Sequence, residues 1–386
     1  MAAGPFSGIL VVDLTRVLAG PYAALMMAEL GARVIKIEPP AGDDARAFGP
    51  FAKTKSGKTK SGYFMAINRG KESIALNLKV EADRKVFETL LFRADVLIEN
   101  FRGGTMEKFG YGYETLKETY PRLIYAGVSG FGHTGPYAQR PAYDMVVQAM
   151  GGIMSLTGHP GAPPTRVGTS VGDITAGLFA TIGIASALYE RTKTGRAMKV
   201  DVSMLDCQAA ILENAIARYA ATGEIPGPLG AAHASIAPFA ALATKDGYIV
   251  VAAGTDALFA RVMKVLERPE PTRDARFLSN ADRVANWNEL KAEMETALAA
   301  RDSRDWLAKF EAEGVPCSPI NNVAQMMADP QIVARNMIVT ANDPDIGPLK
   351  MQGNPIKLSA FDDPKTRPPA PDLDADRAAI LKELGI

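Results

Sequence analysis

The side chain best placed for chemistry in this sequence is a carboxylate. Gly172-Asp173 opens DITAGLFATIGIASAL, a stretch of small and apolar residues that reads as a helix over 171–194. An aspartate at a helix N-terminus can be a cap or a partner of the helix dipole. It can also be a covalent nucleophile, since carboxylates form acyl intermediates. The residues alone leave both readings open. In either case the positive end of the helix is expected to keep Asp173 ionised. Gly151-Gly152, Gly168 and Gly177 lie near it in sequence and would let a ligand come close to the backbone.

Other chemistries find little support. The histidines His133, His159 and His233 and the cysteines Cys207 and Cys317 are scattered without metal-ligand spacing, so no metal site is expected. Two isolated cysteines make a poor disulfide framework for 386 residues, which points to a reducing cytoplasm. The turn from Thr15 to Pro21 holds one glycine, Gly20, so the dinucleotide fingerprint G-x-G-x-x-G is missing. Gly57-Lys58-Thr59 resembles the end of a phosphate-binding loop, but Ala52 stands where its first glycine is needed. The run KTKSGKTKSG (53–62) therefore reads as a mobile, solvated basic loop. Lys plus Arg and Asp plus Glu both number 43, and zero net charge argues against a nucleic-acid binder. A chain with 47% hydrophobic and 22% charged residues is ordinary for a soluble globular protein. MAAGPFSGILVVDLTR has no charged region before its apolar run and is not expected to act as a secretory signal. The clean apolar runs fall short of the ~20 residues a membrane helix needs, so no membrane role is expected.

The elements that must hold Asp173 show a clear alternation. Near-continuous apolar runs at 9–14, 33–38, 73–78, 94–100 and 122–130 read as strands buried on both faces. Helical patterns lie between them, from Gly20-Pro21 to Gly31, over 81–92, 105–109 and 113–119. Such alternation predicts an α/β domain with a parallel, Rossmann-like sheet. KVDVSML adds a strand, and 205–222 a helix. The composition changes at GEIPGPLGAAH (223–233). A smaller α+β domain is expected over 224–330, with a hairpin turning at 245–247 and helices near 256–266, 287–300 and 302–313. The large domain is assigned 1–223, with 331–386 returning to it and ending in a helix over 375–384.

The order of several blocks is informative. VVDLTRVLAGPYAALMMAELGARVIKIEPPAGDDAR (11–46), LNLK (76–79), ADVLIENFRGG (94–104), RPAYDMVVQAMGGIMSLTG (140–158), GAPPTRVGTSVGD (161–173) and GVPCSPINNV with DPQ (314–331) together resemble the family III CoA-transferases, the group of formyl-CoA transferase and carnitine CoA-transferase. The resemblance spans essentially the whole chain. It implies that Asp173 is the nucleophile, that the substrates are an acyl-CoA and a carboxylic acid, and that no cofactor is permanently bound. It also implies a homodimer of two interlocked rings. Attack of Asp173 on the donor thioester would give an aspartyl anhydride, and the released CoA thiolate would then form an aspartyl-CoA thioester. Coenzyme A contacts carry over to Arg16, Val17, Ala19, Leu76, Lys79, Asn100, Phe101, Lys108, Arg140 and Tyr143. On the residues alone, Phe101 can equally be core, and Lys79 and Lys108 solvated surface.

Two departures from the family pattern bear on the ligand. Pro39 follows Ile37-Glu38 where some members carry an arginine. PLGAAHASIAPF (228–239) lacks the glycine run of the formyl-CoA transferase lid, which argues against formate or oxalate. Succinyl-CoA as donor and a C4–C5 dicarboxylate such as itaconate, mesaconate, malate or glutarate as acceptor are expected. Arg46, Arg166 and His233 are candidates for the distal carboxylate, and an ordinary loop histidine is the equal alternative for His233. Transfer between two carboxyls of one dicarboxylate would use the same machinery. A 2-methylacyl-CoA racemase is the main rival, but Tyr143 stands where that group has its histidine base, and tyrosine is a poor base at neutral pH. A non-catalytic acyl-CoA binder would have no need of Asp173.

Overall fold

The computed structural model describes residues 3–386. They divide into two compact units, one of residues up to 154, 166–224 and 330–386, the other of 155–165 and 225–329. The sequence reading placed 155–165 in the first domain; here that segment groups with the second.

The first unit is built on a six-stranded parallel sheet. Its strands are β1 (Leu10–Asp13), β2 (Arg33–Glu38), β5 (Glu72–Ala75), β6 (Val96–Glu99), β7 (Ile124–Ser129) and β8 (Lys199–Ser203), with a small hairpin of β3 (Phe51–Lys53) and β4 (Thr59–Ser61) between β2 and β5. The spatial order is β5-β2-β1-β6-β7-β8. Alternate residues of each strand enter two apolar cores. Val11, Val34, Ile98 and Val128 pack with Met27, Ala176 and Ile184 on one face. Val12, Ile35, Leu97 and Tyr125 pack with Phe87, Leu90 and Ile380 on the other. Burial on both faces is why these strands read as unbroken apolar runs.

The tail completes this unit. β12 (Ile338–Asp343) pairs antiparallel with β13 (Gly347–Gln352) and parallel with β14 (Thr366–Arg367). The edge of β5 is covered by two aspartates: the Ser73 N–H donates to Asp376 at 2.8 Å and the Ala75 N–H to Asp374 at 2.7 Å. These bonds satisfy backbone groups that an open edge would expose. The basic run 53–62 is not a mobile loop. It forms the β3–β4 hairpin, with Lys60 ion-paired to Asp343, Asp345 and Asp372, and Ser61 capping the Gly62–Asn68 helix.

The second unit carries an antiparallel sheet of β9 (Phe239–Ala243), β10 (Tyr248–Ala252) and β11 (Cys317–Pro319). Helices Asp256–Val265, Trp287–Leu298 and Ser303–Ala312 pack over it, burying Ile249, Val262, Phe277, Met294 and Phe310.

The Val171–Thr194 helix is long and apolar enough to cross a membrane by length and composition, which corrects the expectation that no segment reaches that measure. Its Ala176, Gly177, Ala180 and Ile184 are buried, in the manner of a core helix. Gly177 allows a close approach to the Ala19–Glu29 helix. A Cβ there would lie 2.8 Å from the Ala19 carbonyl oxygen and 3.0 Å from the Tyr22 ring. Gly177→Ala is expected to lower stability by about 1–3 kcal/mol, because a backbone carbonyl has little freedom to retreat. An unchanged urea midpoint would contradict this packing.

Candidate active site

Strand order reverses between β1 and β6, and a doubly wound sheet opens a crevice beyond the carboxyl ends of the strands at such a point. The turn after β1 and the turn after β6 meet there. The Arg16 N–H donates to Asn100 Oδ1 at 2.8 Å, and Asn100 Nδ2 donates to the Arg16 carbonyl at 2.7 Å. Between them lies a cleft of about 340 Å³. Asp173 lines it together with Arg16, Val17, Ala19, Asn100, Phe101 and Tyr143.

The β1 turn is held from below by buried charge. Lys36 Nζ lies 2.9 Å from Asp43 and donates to the Thr15 carbonyl at 2.7 Å. Lys71 Nζ lies 2.9 Å from Asp13 and also donates to the Pro21 carbonyl and Asn68. All four charged side chains are 0% exposed. Burial works against the charge on Asp13, yet Lys71 and Lys36 hold its carboxyl below the ordinary range. Asp43 is likewise held low, against burial, by Lys36 and the Ala45 N–H. Its Oδ1 accepts the Val17 N–H at 3.2 Å. Val17 has φ of 66°, a left-handed conformation that is strained for a β-branched residue and that clusters at functional sites.

Asp173 does not cap its own helix. The Gly172 N–H donates at 2.8 Å to Asp144, a buried aspartate that also accepts from Gln148 at 2.7 Å. The Asp173 carboxylate instead faces the N–H of Ala19, at the start of another helix, which favours its charged form. Burial, reinforced by the charge on Asp144 and opposed by the Ala19 N–H, pushes Asp173 up to about 7. The expectation of a carboxylate fully ionised at neutral pH is therefore corrected: desolvation outweighs the helix terminus. Tyr63 stands in the field of Asp173, Asp43 and Asp144; burial first and those charges next push its hydroxyl up to about 12, so it stays a donor.

The remaining candidates lie elsewhere. Leu76 is buried in the core beneath β5. Lys79 and Lys108 are exposed, and Arg140 stacks over Tyr137 and Phe131, with 4.5 Å to the Tyr137 ring. None of these lines the cleft. Arg46 is held by both oxygens of Glu38, at 2.8 and 2.7 Å, and lies 3.8 Å over the Phe64 ring. Arg166 donates to the carbonyls of Val167 and Gly168 in its own loop. His233 belongs to the second unit, where it packs against Phe239 and lines a cavity with His159 and Trp287. Sequence reasoning missed Asp44, Arg102, Ser129 and Met204, which also line the cleft. Gly168-Thr169-Ser170-Val171-Gly172 fits the G-x-S-x-G pattern of hydrolases, which corrects the reading that the sequence holds no such motif. That elbow needs a strand before the serine, and here a loop precedes it. Both cysteines are free, and among the described residues no group of side chains is arranged to hold a metal.

The sequence profile of CoA-transferase family III matches residues 6–377. The chain is 48% identical to the acetyl-CoA:oxalate CoA-transferase of Acetobacter aceti, covering 98% of this chain and 96% of that one. It is 38% identical to the succinyl-CoA:glutarate CoA-transferase of Homo sapiens, over 98% of this chain and 86% of that one. It is also 38% identical to the succinyl-CoA:mesaconate CoA-transferase of Haloarcula marismortui, over 99% and 97%. Among solved structures, a CAIB/BAIF family protein from Brucella suis superimposes with a TM-score of 0.87 at 41% identity, over 99% of this chain and 100% of that one.

Two predictions come from the site's electrostatics. Lys36→Met leaves Asp43 buried and unpaired, and is expected to cost about 3–5 kcal/mol in denaturant unfolding. Asp173 has a folded pKa above its unfolded one, so its ionisation removes stability as pH rises from about 4 to 7. Asp173→Asn should therefore melt several degrees above the parent at pH 8, with the gap shrinking below pH 7 and closing near pH 4. Equal melting temperatures at pH 8 would contradict the buried, raised carboxyl.

Proposed function

The chain belongs to CoA-transferase family III, and on that premise we propose that Asp173 carries coenzyme A from a donor thioester to a short dicarboxylate. The observation that carries this reading is the release of Asp173 from capping duty. Asp144 serves the helix end, and the Asp173 carboxylate stands in the cleft at the strand-order reversal, against the Ala19 N–H.

The reaction needs four attacks, each conserving an activated acyl group. The Asp173 carboxylate attacks the donor thioester carbonyl, forming an anhydride and expelling CoA thiolate. The thiolate attacks the aspartyl carbonyl, forming an aspartyl-CoA thioester and releasing the donor acid. The acceptor carboxylate displaces the thiolate to form a second anhydride. The thiolate then attacks the acceptor acyl carbon, giving the new acyl-CoA and restoring Asp173. The Ala19 N–H, freed as Asp173 loses its charge, is available to the oxyanions of these steps. Arg16, 44% exposed and 3.5 Å from Asp44, offers a guanidinium to the anionic CoA, while Val17, Asn100, Phe101 and Tyr143 line its path.

The named relatives act on oxalate, glutarate and mesaconate, which favours an acceptor between C2 and C5. The missing glycine run therefore does not set oxalate aside. A homodimer is supported by apolar surface left open in the first unit. Ile182 and Tyr189 on the long helix are 60% and 63% exposed, and Ile216 and Tyr219 on Glu213–Thr222 are 53% and 55% exposed. A sizing column with light scattering should return a dimer; an active monomer would contradict it.

The transfer is tested by mass spectrometry. Protein is mixed with succinyl-CoA or acetyl-CoA and a pool of dicarboxylates, and new thioesters are identified. A new species is expected with the parent and should fall by roughly three orders of magnitude or more in Asp173→Ala. Because the nucleophile is the anion, kcat/KM should rise about tenfold per pH unit below 7 and stop rising above it. Retained transfer in Asp173→Ala would overturn the mechanism.

A further inference from the structure

Behind the Asn100-Phe101 wall of the cleft lies a buried acid that the transfer steps do not use. Glu99, the last residue of β6, is 1% exposed. Its Oε2 accepts the Phe101 N–H at 2.7 Å, and its Oε1 accepts the Tyr125 hydroxyl at 2.9 Å. The His133 imidazole faces the same Oε1 with its Nε2 3.3 Å away. Among the described residues that buried nitrogen has no well-aligned hydrogen bond of its own.

The sheet is shaped to admit this contact. Gly127 on β7 stands across from Glu99 on one side and Asp201 on the other. A Cβ on Gly127 would lie 2.7 Å from His133 Cε1, 2.9 Å from Nε2 and 3.1 Å from Glu99 Oε1. Any other residue would close the notch through which the imidazole reaches Glu99. The His133 N–H is held by both oxygens of Asp201, at 3.2 and 3.1 Å. A histidine fixed at its backbone, a missing side chain beneath its ring and a buried carboxyl beyond it make a built arrangement.

We propose that Glu99 and His133 form a buried proton-sharing pair that positions the Phe101 backbone, and with it the wall on which coenzyme A rests. The role rests on reading the cleft as the coenzyme A site. The charged and titratable groups facing the pair are Tyr125 on β7, Glu107 on the Thr105–Phe109 helix, and Lys199 and Asp201 on β8. Burial pushes Glu99 up to about 7, against the Phe101 and Tyr125 hydrogen bonds. Burial and Lys199 push His133 down, against Asp201 and Glu107. Burial thus favours the neutral form of each, which puts one proton in the 3.3 Å contact between Glu99 Oε1 and His133 Nε2 and makes the two titrate as a unit. Loss of that proton leaves a carboxylate under an anion-binding wall, so coenzyme A should bind more weakly as pH rises.

Calorimetric titration with coenzyme A between pH 6 and 8.5 tests this in the Asp173→Asn background, which removes the other carboxyl that titrates near 7. With Glu99 and His133 present, Kd should rise about 3- to 10-fold across the range. Glu99→Gln keeps an oxygen for the Phe101 N–H and should abolish most of that rise, as should His133→Gln. Titration of the ligand or of other side chains affects all three proteins alike and drops out of the comparison. A pH dependence unchanged by both substitutions overturns the pair. If Glu99→Gln does not fold, His133→Gln alone decides. Failure of coenzyme A to bind any of the proteins, the parent included, would overturn the cleft assignment itself.

Discussion

Lys36 and Lys71 are ammonium groups closed off from water beneath the first βα turn, and each would be costly to bury without its aspartate. Their pairing fixes more than themselves. Lys36 also holds the Thr15 carbonyl, and its partner Asp43 holds the Val17 N–H. Val17 is thereby kept in a conformation that a β-branched residue would leave if free. The turn is clasped from the other side by Asn100. A rigid, strained turn at the point where strand order reverses is what gives the cleft its shape and places the Ala19 N–H.

The nucleophile depends on a division of labour between two aspartates. Asp144 supplies the helix cap, which leaves Asp173 free to face the cleft. The same neighbour and the same burial raise the affinity of Asp173 for a proton. A desolvated carboxylate is a stronger nucleophile than a hydrated one, and its charge disappears on acylation, so the cost of burying it is relieved as the reaction begins. Close packing of Gly177 against the Ala19 helix sets the distance over which this happens.

The parallel sheet was legible because strands buried on both faces must be apolar throughout, as in β6 and β7. β12 and β13 were hidden: IVTAND and GPLKMQ are partly exposed and mix polar with apolar residues. The basic run 53–62 looked unstructured because its partners, Asp343, Asp345 and Asp372, lie far along the chain. At the site, Arg16, Val17, Ala19, Asn100, Phe101, Tyr143 and Asp173 came together as the strand-end turns require. The capping role of Asp144 was not legible, since a cap from a distant helix leaves no local spacing. For the same reason the raised pKa of Asp173 could not be read from its place at a helix start.

The account turns on a covalent bond to one carboxylate. The most direct test is to incubate the protein with acyl-CoA in the absence of acceptor, quench with hydroxylamine, and map the modified peptide by mass spectrometry. An aspartyl anhydride or thioester predicts a hydroxamate on Asp173 that depends on acyl-CoA. A protein that transfers coenzyme A yet leaves Asp173 unmodified, or carries the label on another side chain, would contradict it.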